Sequence, residues 1–352
     1  MRNQEKIFVI GHKNPDTDSI CSAIAYCDIK NRTSQKQRFV PKRAGQINEE
    51  TEYVLSRFGV QPPGYLSNIG TQVKDMDIRM SPDADKSMSL KAAWDIMQEN
   101  SIVSLPIRDK EGALEGLITI GDIAKTYMDT TDSYLLSRAR TQYQKIAETI
   151  HGEIIEGNPH GYFIKGRVMV GTANPDKMKE YIEEDDMIIM GDREEDHLQA
   201  IAQNVSCIIV GLGIQVTENV VKLAHEKDII IIASPYDTFT IARLINQSIP
   251  VRYIMKTDNL VTFNTEDFTD DIQDVMIKHR HRAFPVINKK GKCIGTISRR
   301  NFLGMHKKQV VLVDHNEVGQ AVDNIEKADI LEIIDHLSLI HISEPTRHAQ
   351  IS

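Results

Sequence analysis

An imidazole and two carboxylates lie within seven residues of one another near the start of the chain, in the sequence GHKNPDTDS. His12, Asp16 and Asp18 follow directly after a short apolar run, residues 6–10. Nitrogen and oxygen donors grouped on one loop suit Mn²⁺, Co²⁺ or Zn²⁺ better than Ca²⁺. Asn-Pro-Asp is also a good turn starter, so this segment alone fits a structural turn equally well.

Two later apolar runs end in the same residue types. Residues 309–313 (QVVLV) are followed by Asp314, and residues 330–334 (ILEII) are followed by Asp335 and His336. These runs are typical of buried parallel strands, whose carboxyl ends lie on one edge of a sheet. If the strands are neighbours of the first one, the acidic and histidine side chains converge. Asp314, on the middle strand, could then bridge two metals ~3.5–4 Å apart.

The spacing of apolar residues predicts the elements that hold these side chains. Apolar residues recur at steps of three and four from Ile20 to Cys27, which predicts a helix after the first loop. Asp18 or Ser19 is the expected N-cap of that helix. A second helix is expected after residues 309–313.

The middle of the chain contains an internal repeat. Residues 105–123 (LPIRDKEGALEGLITIGDI) align without gaps with residues 284–302 (FPVINKKGKCIGTISRRNF), with one proline and two glycines in common. Each copy predicts a helix, a strand, a glycine turn, a strand and a helix. Between the copies, residues 161–248 contain apolar runs separated by helical patterns, which predict a third, small α/β domain.

Length and composition limit the protein class. The chain has 352 residues, a formal net charge of −8 and 41% hydrophobic residues, which indicates a globular protein of two or three domains. The net acidity argues against a nonspecific nucleic-acid partner. The apolar runs are too short for a membrane span. The four cysteines lack the spacing of a zinc site or a disulfide framework, so a reduced, cytoplasmic location is expected.

The motifs HKNPDTDS, DHNE and DH resemble those of the DHH phosphoesterase superfamily, most closely the family II inorganic pyrophosphatases with an inserted regulatory region. The repeat resembles a pair of CBS domains, and the segment between resembles a DRTGG domain, best in GDREEDHLQAI. The implied fold is α/β, a Rossmann-like parallel-sheet DHH domain split by this insertion. The expected parts are the DHH domain at 1–65 and 309–336, CBS repeats at 66–130 and 251–308, a linker and DRTGG-like domain at 131–250, and a tail at 337–352.

The resemblance implies a dinuclear Mn²⁺ or Co²⁺ site that hydrolyses pyrophosphate, accompanied by Mg²⁺, to two orthophosphates. His12 and Asp16 would bind one metal, Asp18 and His336 the other, and Asp314 both. The nucleophile would be a metal-bridging water held by Asp18, Asp314 and His336, because metals lower the pKa of water toward ~7. The resemblance also implies a homodimer.

The sequence departs from the family pattern after the third motif. Leu337 follows His336, where the family has a second histidine. A later aspartate ligand and a basic C-terminal domain are also missing. Residues 337–352 resemble translated sequencing-adapter sequence. The expectation is therefore a fragment of a longer enzyme that is inactive or weakly active.

The resemblance of the repeat to a CBS pair implies that it senses adenine nucleotides, and therefore that AMP, ADP or ATP regulates the enzyme. The ribose-phosphate signature of CBS pairs is a glycine, an apolar run, a threonine or serine, and an aspartate three residues on. Thr and Asp are also good helix caps, so the same pattern fits a purely structural role. The candidate nucleotide-binding residues are Thr119 and Asp122 in the first copy, Tyr253 at the start of the second, and Ser298, Arg299 and Asn301 further along it.

Two other functions fit the same motifs. One keeps the DHH superfamily and changes the substrate, giving a phosphodiesterase for oligonucleotides or cyclic dinucleotides, or an exopolyphosphatase. The other is a non-catalytic sensor of adenine nucleotides whose catalytic half is vestigial.

Overall fold

The structure, a computed structural model, describes residues 5–34, 36–128, 132–173, 175–279 and 281–335. The predictions made for His336 and for residues 337–352 lie outside these ranges. No helix in the described parts of the chain combines the length and apolar character that a membrane crossing requires.

The strands, in chain order, are β1 (Glu5–Ile10), β2 (Gln37–Arg43), β3 (Gly64–Tyr65), β4 (Arg79–Met80), β5 (Ser104–Arg108), β6 (Leu114–Thr119), β7 (Thr141–Gln142), β8 (Glu153–Glu156), β9 (Tyr162–Phe163), β10 (Val168–Val170), β11 (Met187–Met190), β12 (Cys207–Val210), β13 (Ile230–Ala233), β14 (Phe263–Asn264), β15 (Phe284–Ile287), β16 (Cys293–Ile297), β17 (Gln309–Val313) and β18 (Asp329–Ile334). The α-helices are α1 (Thr17–Thr33), α2 (Glu49–Arg57), α3 (Leu90–Glu99), α4 (Ile120–Met128), α5 (Leu135–Arg138), α6 (Tyr143–Thr149), α7 (Pro175–Tyr181), α8 (Glu194–Ala202), α9 (Glu218–Glu226), α10 (Thr238–Leu244) and α11 (Thr269–Lys278).

The chain divides into two compact units, each assembled from separate stretches of sequence. Unit 1 comprises Met1–Ile78, Asn264–Arg280 and Arg299–Ser352, and unit 2 comprises Arg79–Phe263 and His281–Ser298. The domain boundaries expected from the sequence are based on motifs and repeats, whereas these units are defined by compactness. The expected boundaries therefore stay a prediction.

Unit 1 is built on a parallel sheet with the strand order β18-β17-β1-β2-β3. The predicted adjacency of the three strands that end in acidic residues is therefore confirmed, with β17 between β1 and β18. Side chains of β1 and β17 are buried on both faces, with Ile10 and Leu312 in one cluster and Val9 and Val311 in the other. Burial on both faces is expected of parallel strands and explains their continuous apolar sequences.

Unit 1 differs from the expectation at two points. Helix α1 begins two or three residues earlier than predicted, because the side chain of Asp16, rather than that of Asp18 or Ser19, accepts the hydrogen bond that caps it. The prediction of a helix after β17 is also wrong. That segment forms two 3₁₀ turns, Val318–Gln320 and Ile325–Lys327, separated by Asn324 in a left-handed conformation with φ of 62°.

The two ends of the inserted region are close together in unit 1. Lys308 Nζ lies 3.0 Å from a carboxylate oxygen of Asp75 and donates to the carbonyl of Gly70 at 2.9 Å. Close ends are what allow a folded insertion to sit within a host domain.

Unit 2 contains the predicted small α/β domain as a sheet with the order β10-β11-β12-β13-β8. Strands β10 to β13 are parallel, and β8 pairs with β13 in the antiparallel direction. Ile188 and Ile208 belong to one buried cluster, with residues of α7, α8 and α9, whereas Ile189 and Ile209 belong to another. The alternation places one cluster on each face of the sheet.

The internal repeat is only partly symmetrical. The glycine turn predicted in each copy is confirmed, since Gly112 has a φ of 90° and Gly291 a φ of 76°. The first copy ends in helix α4, but the corresponding segment of the second copy is a 3₁₀ turn, Arg299–Phe302. The amide nitrogen of Asn301 in this turn donates to the backbone carbonyl of Asp77 at 2.6 Å.

A buried carboxylate joins the start of β10 to the start of β11. Asp186 is 1% exposed and accepts hydrogen bonds from the backbone and guanidinium of Arg167, at 2.7 and 2.9 Å, and from the backbone N–H of Glu183 at 3.0 Å. Glu183 also pairs with Arg167, but its side chain is mostly exposed.

We expect Asp186→Ala to lower the free energy of unfolding of unit 2 by about 3 kcal/mol, because it leaves buried donors without an acceptor. Glu183→Ala is the matched control and should cost less than about 1 kcal/mol, as is usual for an exposed pair. Urea denaturation followed by circular dichroism measures both. Equal effects of the two substitutions would contradict this account.

Candidate metal centre

The loop after β1 is fixed against the first turn of α1. The backbone N–H of His12 donates to the hydroxyl of Ser19 at 3.1 Å, and the N–H of Ser19 donates to Asp16 Oδ1 at 2.9 Å. Gly11 permits this approach, since a Cβ atom there would lie 1.8 Å from the Ser19 hydroxyl oxygen. The loop therefore requires glycine at this position for steric reasons.

The same loop is held from its other side by the segment that follows β17. The N–H of Lys13 donates to the carbonyl of Gln320 at 2.8 Å, and its ammonium lies 2.8 Å from a carboxylate oxygen of Asp323. Gly45 packs so tightly that a Cβ atom there would lie 1.9 Å from the carbonyl oxygen of Lys13. These contacts fix the backbone that carries His12.

Asp314 occupies a bend at the end of β17. Its N–H donates to the carbonyl of Ile334 at 2.9 Å, and its φ of 58° is in the left-handed region. Aspartate is one of the few non-glycine residues that adopt this conformation at modest cost. The bend turns the chain out of the sheet at the residue whose carboxylate faces the loop after β1.

His12, Asp16 and Asp314 form the one cluster of potential metal ligands found among the described residues, with ligand atoms all within 4.8 Å of one another. His12 Nε2 lies 3.3 Å from Asp314 Oδ2 and 3.8 Å from Asp16 Oδ1. Ligand atoms about 2.0–2.2 Å from one ion stand roughly 3–3.5 Å apart, so the His12–Asp314 pair has the spacing of two ligands of one divalent ion, and the Asp16 carboxylate is slightly farther away. One imidazole and two carboxylates suit Mn²⁺, Co²⁺ or Zn²⁺.

Asp18 is not a member of this cluster. Asp18 is in the first turn of α1, is exposed, and accepts a hydrogen bond from the hydroxyl of Ser22 at 3.1 Å. His336 lies outside the described residues. The second metal and the bridging role of Asp314 stay predictions.

Sequence reasoning assigned no role to His315, although it lies beside the cluster. It is 1% exposed, and its ring centroid is 6.5 Å from that of His12 in an edge-on arrangement. Its Nδ1 is 2.9 Å from the carbonyl oxygen of Val313. Burial lowers the pKa of this imidazole, which favours the neutral form at pH 7. The only sequence signal was its place directly after Asp314.

The candidate nucleotide-binding residues of the first repeat copy cap α4. The hydroxyl of Thr119 donates to Asp122 Oδ2 at 2.6 Å, and the N–H of Asp122 donates back to that hydroxyl at 3.2 Å. Asp122 Oδ1 also lies 3.4 Å from the ammonium of Lys256. These contacts are the ones expected if Thr119 and Asp122 only cap the helix. A role of these residues in ribose binding stays a prediction.

The other candidates are divided between the two units. Ser298 and Tyr253 belong to unit 2, and the Tyr253 ring is 43% exposed. In unit 1, the guanidinium of Arg299 donates to the carbonyls of Met276 and His279 at the end of α11. Arg299 is thus engaged by the backbone, and its predicted contact with a phosphate stays a prediction.

Two family models match the inserted segments of the chain. The CBS domain model matches residues 74–129 and 251–308, and the DRTGG domain model matches residues 145–248. The crystal structure of the CBS and DRTGG domains of the regulatory region of Clostridium perfringens pyrophosphatase, complexed with its activator diadenosine tetraphosphate, is 35% identical to this chain. It aligns with a TM-score of 0.62 and covers 65% of this chain and 100% of that chain.

Two curated relatives extend the similarity to the rest of the chain. The cobalt-dependent inorganic pyrophosphatase of Clostridium perfringens is 39% identical over 95% of this chain and 60% of its own length. The probable manganese-dependent inorganic pyrophosphatase of Thermotoga maritima is 31% identical over 96% of this chain and 61% of its own length. The chain thus spans about three fifths of these relatives. It belongs to the family II inorganic pyrophosphatases that carry CBS and DRTGG domains.

Proposed function

We propose that the protein hydrolyses inorganic pyrophosphate to two orthophosphates at a metal centre built on His12, Asp16 and Asp314. The observation that carries the proposal is the convergence of these three side chains at the carboxyl ends of β1 and β17. Two curated relatives are named as cobalt- or manganese-dependent pyrophosphatases, which supports both the reaction and the metals.

A bound divalent cation would supply Lewis-acid chemistry, lowering the pKa of water toward ~7 and offsetting negative charge on phosphoryl oxygens. The protein contributes a rigid set of donors. His12 offers a neutral nitrogen, and the two carboxylates balance the charge of the cation. Asp16 is held by its hydrogen bond from Ser19, and Asp314 by the end of β17, so neither has to be ordered when an ion binds.

A second cation, held by Asp18 and His336 and shared through Asp314, would complete the dinuclear site. Asp18 lies two residues from Asp16 in the first turn of α1. The partial positive charge of the amino-terminal end of this 17-residue helix also favours a bound anion such as pyrophosphate. Mg²⁺ would enter with the substrate.

The CBS pair would make this activity responsive to adenine nucleotides. The related regulatory region from Clostridium perfringens is described as complexed with the activator diadenosine tetraphosphate. In this chain Thr119 and Asp122 stand at the start of α4 with Lys256 beside them, which offers a hydroxyl, a carboxylate and a cation to a ribose and its phosphates. A homodimer is part of the same proposal.

We expect Asp314→Asn to weaken Mn²⁺ binding by more than about 100-fold, because loss of an outer-sphere partner alone typically costs 10–100-fold. Asparagine also tolerates the left-handed backbone, so the fold should persist. Asp28→Asn, an exposed substitution on α1, is the control and should leave Mn²⁺ affinity unchanged. Isothermal titration calorimetry measures both, and tight Mn²⁺ binding by Asp314→Asn would count against the site.

Phosphate release from pyrophosphate tests the reaction. The measurement compares the Mn²⁺-loaded chain, a longer form that spans the full length of its curated relatives, and the Asp314→Asn form of each. Release that Asp314→Asn abolishes is the expected result. Turnover of a dinucleotide without turnover of pyrophosphate would instead favour a phosphodiesterase, and nucleotide binding without either turnover would favour a sensor.

For the regulatory role, we expect Asp122→Ala to weaken AMP binding about 10-fold, a loss of about 1.4 kcal/mol that corresponds to one hydrogen bond to ribose. Lys125→Ala, on the same helix, is the control and should bind AMP normally. Calorimetry with AMP and with diadenosine tetraphosphate gives the affinities. Identical binding by both variants would show that Asp122 only caps α4.

A further inference from the structure

The hydrogen bonds of His315 determine which of its nitrogens carries the proton. Nδ1 lies 2.9 Å from the carbonyl oxygen of Val313, and a carbonyl can only accept, so Nδ1 is the donor. In the tautomer whose proton is on Nδ1, the lone pair of the ring is on Nε2. This Nε2 atom is buried and has no hydrogen-bond partner in the part of the chain that the structure describes.

The ring of His315 has a polar neighbour in His12. The two rings stand edge-on, with their centroids 6.5 Å apart and an interplanar angle of 86°. His315 is not a member of the ligand cluster formed by His12, Asp16 and Asp314. It lies next to that cluster, but its ring nitrogens are not among the ligand atoms that all lie within 4.8 Å of one another.

An unmet buried acceptor costs roughly 1–3 kcal/mol, and proteins generally satisfy such atoms with an ordered water. A water needs two to four polar partners to be held in place. The carboxylates and imidazole of the neighbouring cluster can supply the others. Water is thus the donor whose chemistry fits both the lone pair of His315 and the ligand cluster beside it.

We propose that His315 Nε2 accepts a hydrogen bond from a water molecule of the metal centre and so orients that water. One O–H bond of the water then points toward His315, and the oxygen lone pairs point away from it. His315 is accordingly a positioning residue for the water, outside the set of metal ligands. This inference rests on the proposed metal centre.

Two substitutions of His315 distinguish the role of the acceptor Nε2 from that of the donor Nδ1. In His315→Asn the amide can reproduce the donor to Val313 but offers nothing at the position of Nε2. In His315→Gln the longer side chain brings an amide oxygen to that position. The full chain, freed of metal, is titrated with Co²⁺ alone. Calorimetry gives the affinity and stoichiometry, and the visible absorption reports on the bound Co²⁺. Thermal unfolding is measured on the metal-free proteins.

We expect His315→Asn to weaken Co²⁺ binding 10–100-fold with unchanged stoichiometry, the usual effect of removing an outer-sphere partner. His315→Gln should remain within about 3-fold of the unsubstituted chain, and both variants should unfold at similar temperatures. Equal weakening by both variants, or unchanged binding by His315→Asn, would overturn the inference while leaving the metal centre in place.

Two further outcomes are distinguishable. Loss of one bound Co²⁺ in His315→Asn, with a changed visible spectrum, would make His315 a direct ligand and overturn its positioning role. Failure of the unsubstituted chain to bind Co²⁺ at all would overturn the proposed metal centre, and the inference with it.

Discussion

The parallel pairing of β1 with β17 is the constraint on which the candidate site depends. Ile10 stands opposite Leu312 in this register, so the residues that follow the two strands, His12 and Asp314, meet at one edge of the sheet although some 300 positions separate them. Because both strands are buried on their two faces, a shift of register by one residue would exchange the side chains of the two clusters and disrupt the packing of both. The hydrophobic core of unit 1 thus fixes the distance between the two donors.

Polar groups at this edge serve structure and chemistry together. Asp16 caps α1 and lies in the ligand cluster, and Asp314 turns the chain after β17 and supplies the carboxylate nearest to His12. Gly11 and Gly45 pack so closely around the loop that carries His12 that neither position has room for a side chain. Donors that are already ordered lose little conformational entropy when a cation binds, which favours tight binding at a site made of few residues.

Strand positions and terminal residues could be predicted from the sequence because buried parallel strands have continuous apolar runs. Details governed by single hydrogen bonds could not. The N-cap of α1 was placed at Asp18 or Ser19, since several residues of the loop are chemically competent caps and only the backbone path selects Asp16. The second repeat copy ends in a 3₁₀ turn instead of a helix, and the Asn301 amide within that turn bonds to the distant carbonyl of Asp77. His315 was missed since its burial and tautomer depend on the bend at Asp314.

Electrostatics explain why such a site requires a cation for the proposed reaction. Two carboxylates converge on one imidazole, so two acidic groups meet at this edge of the sheet. Pyrophosphate is a highly charged anion, which this arrangement would repel. A divalent ion reverses the sign of the local field and gives the carboxylates a favourable partner. The same groups that would exclude the substrate from an empty site therefore hold the ion that attracts it.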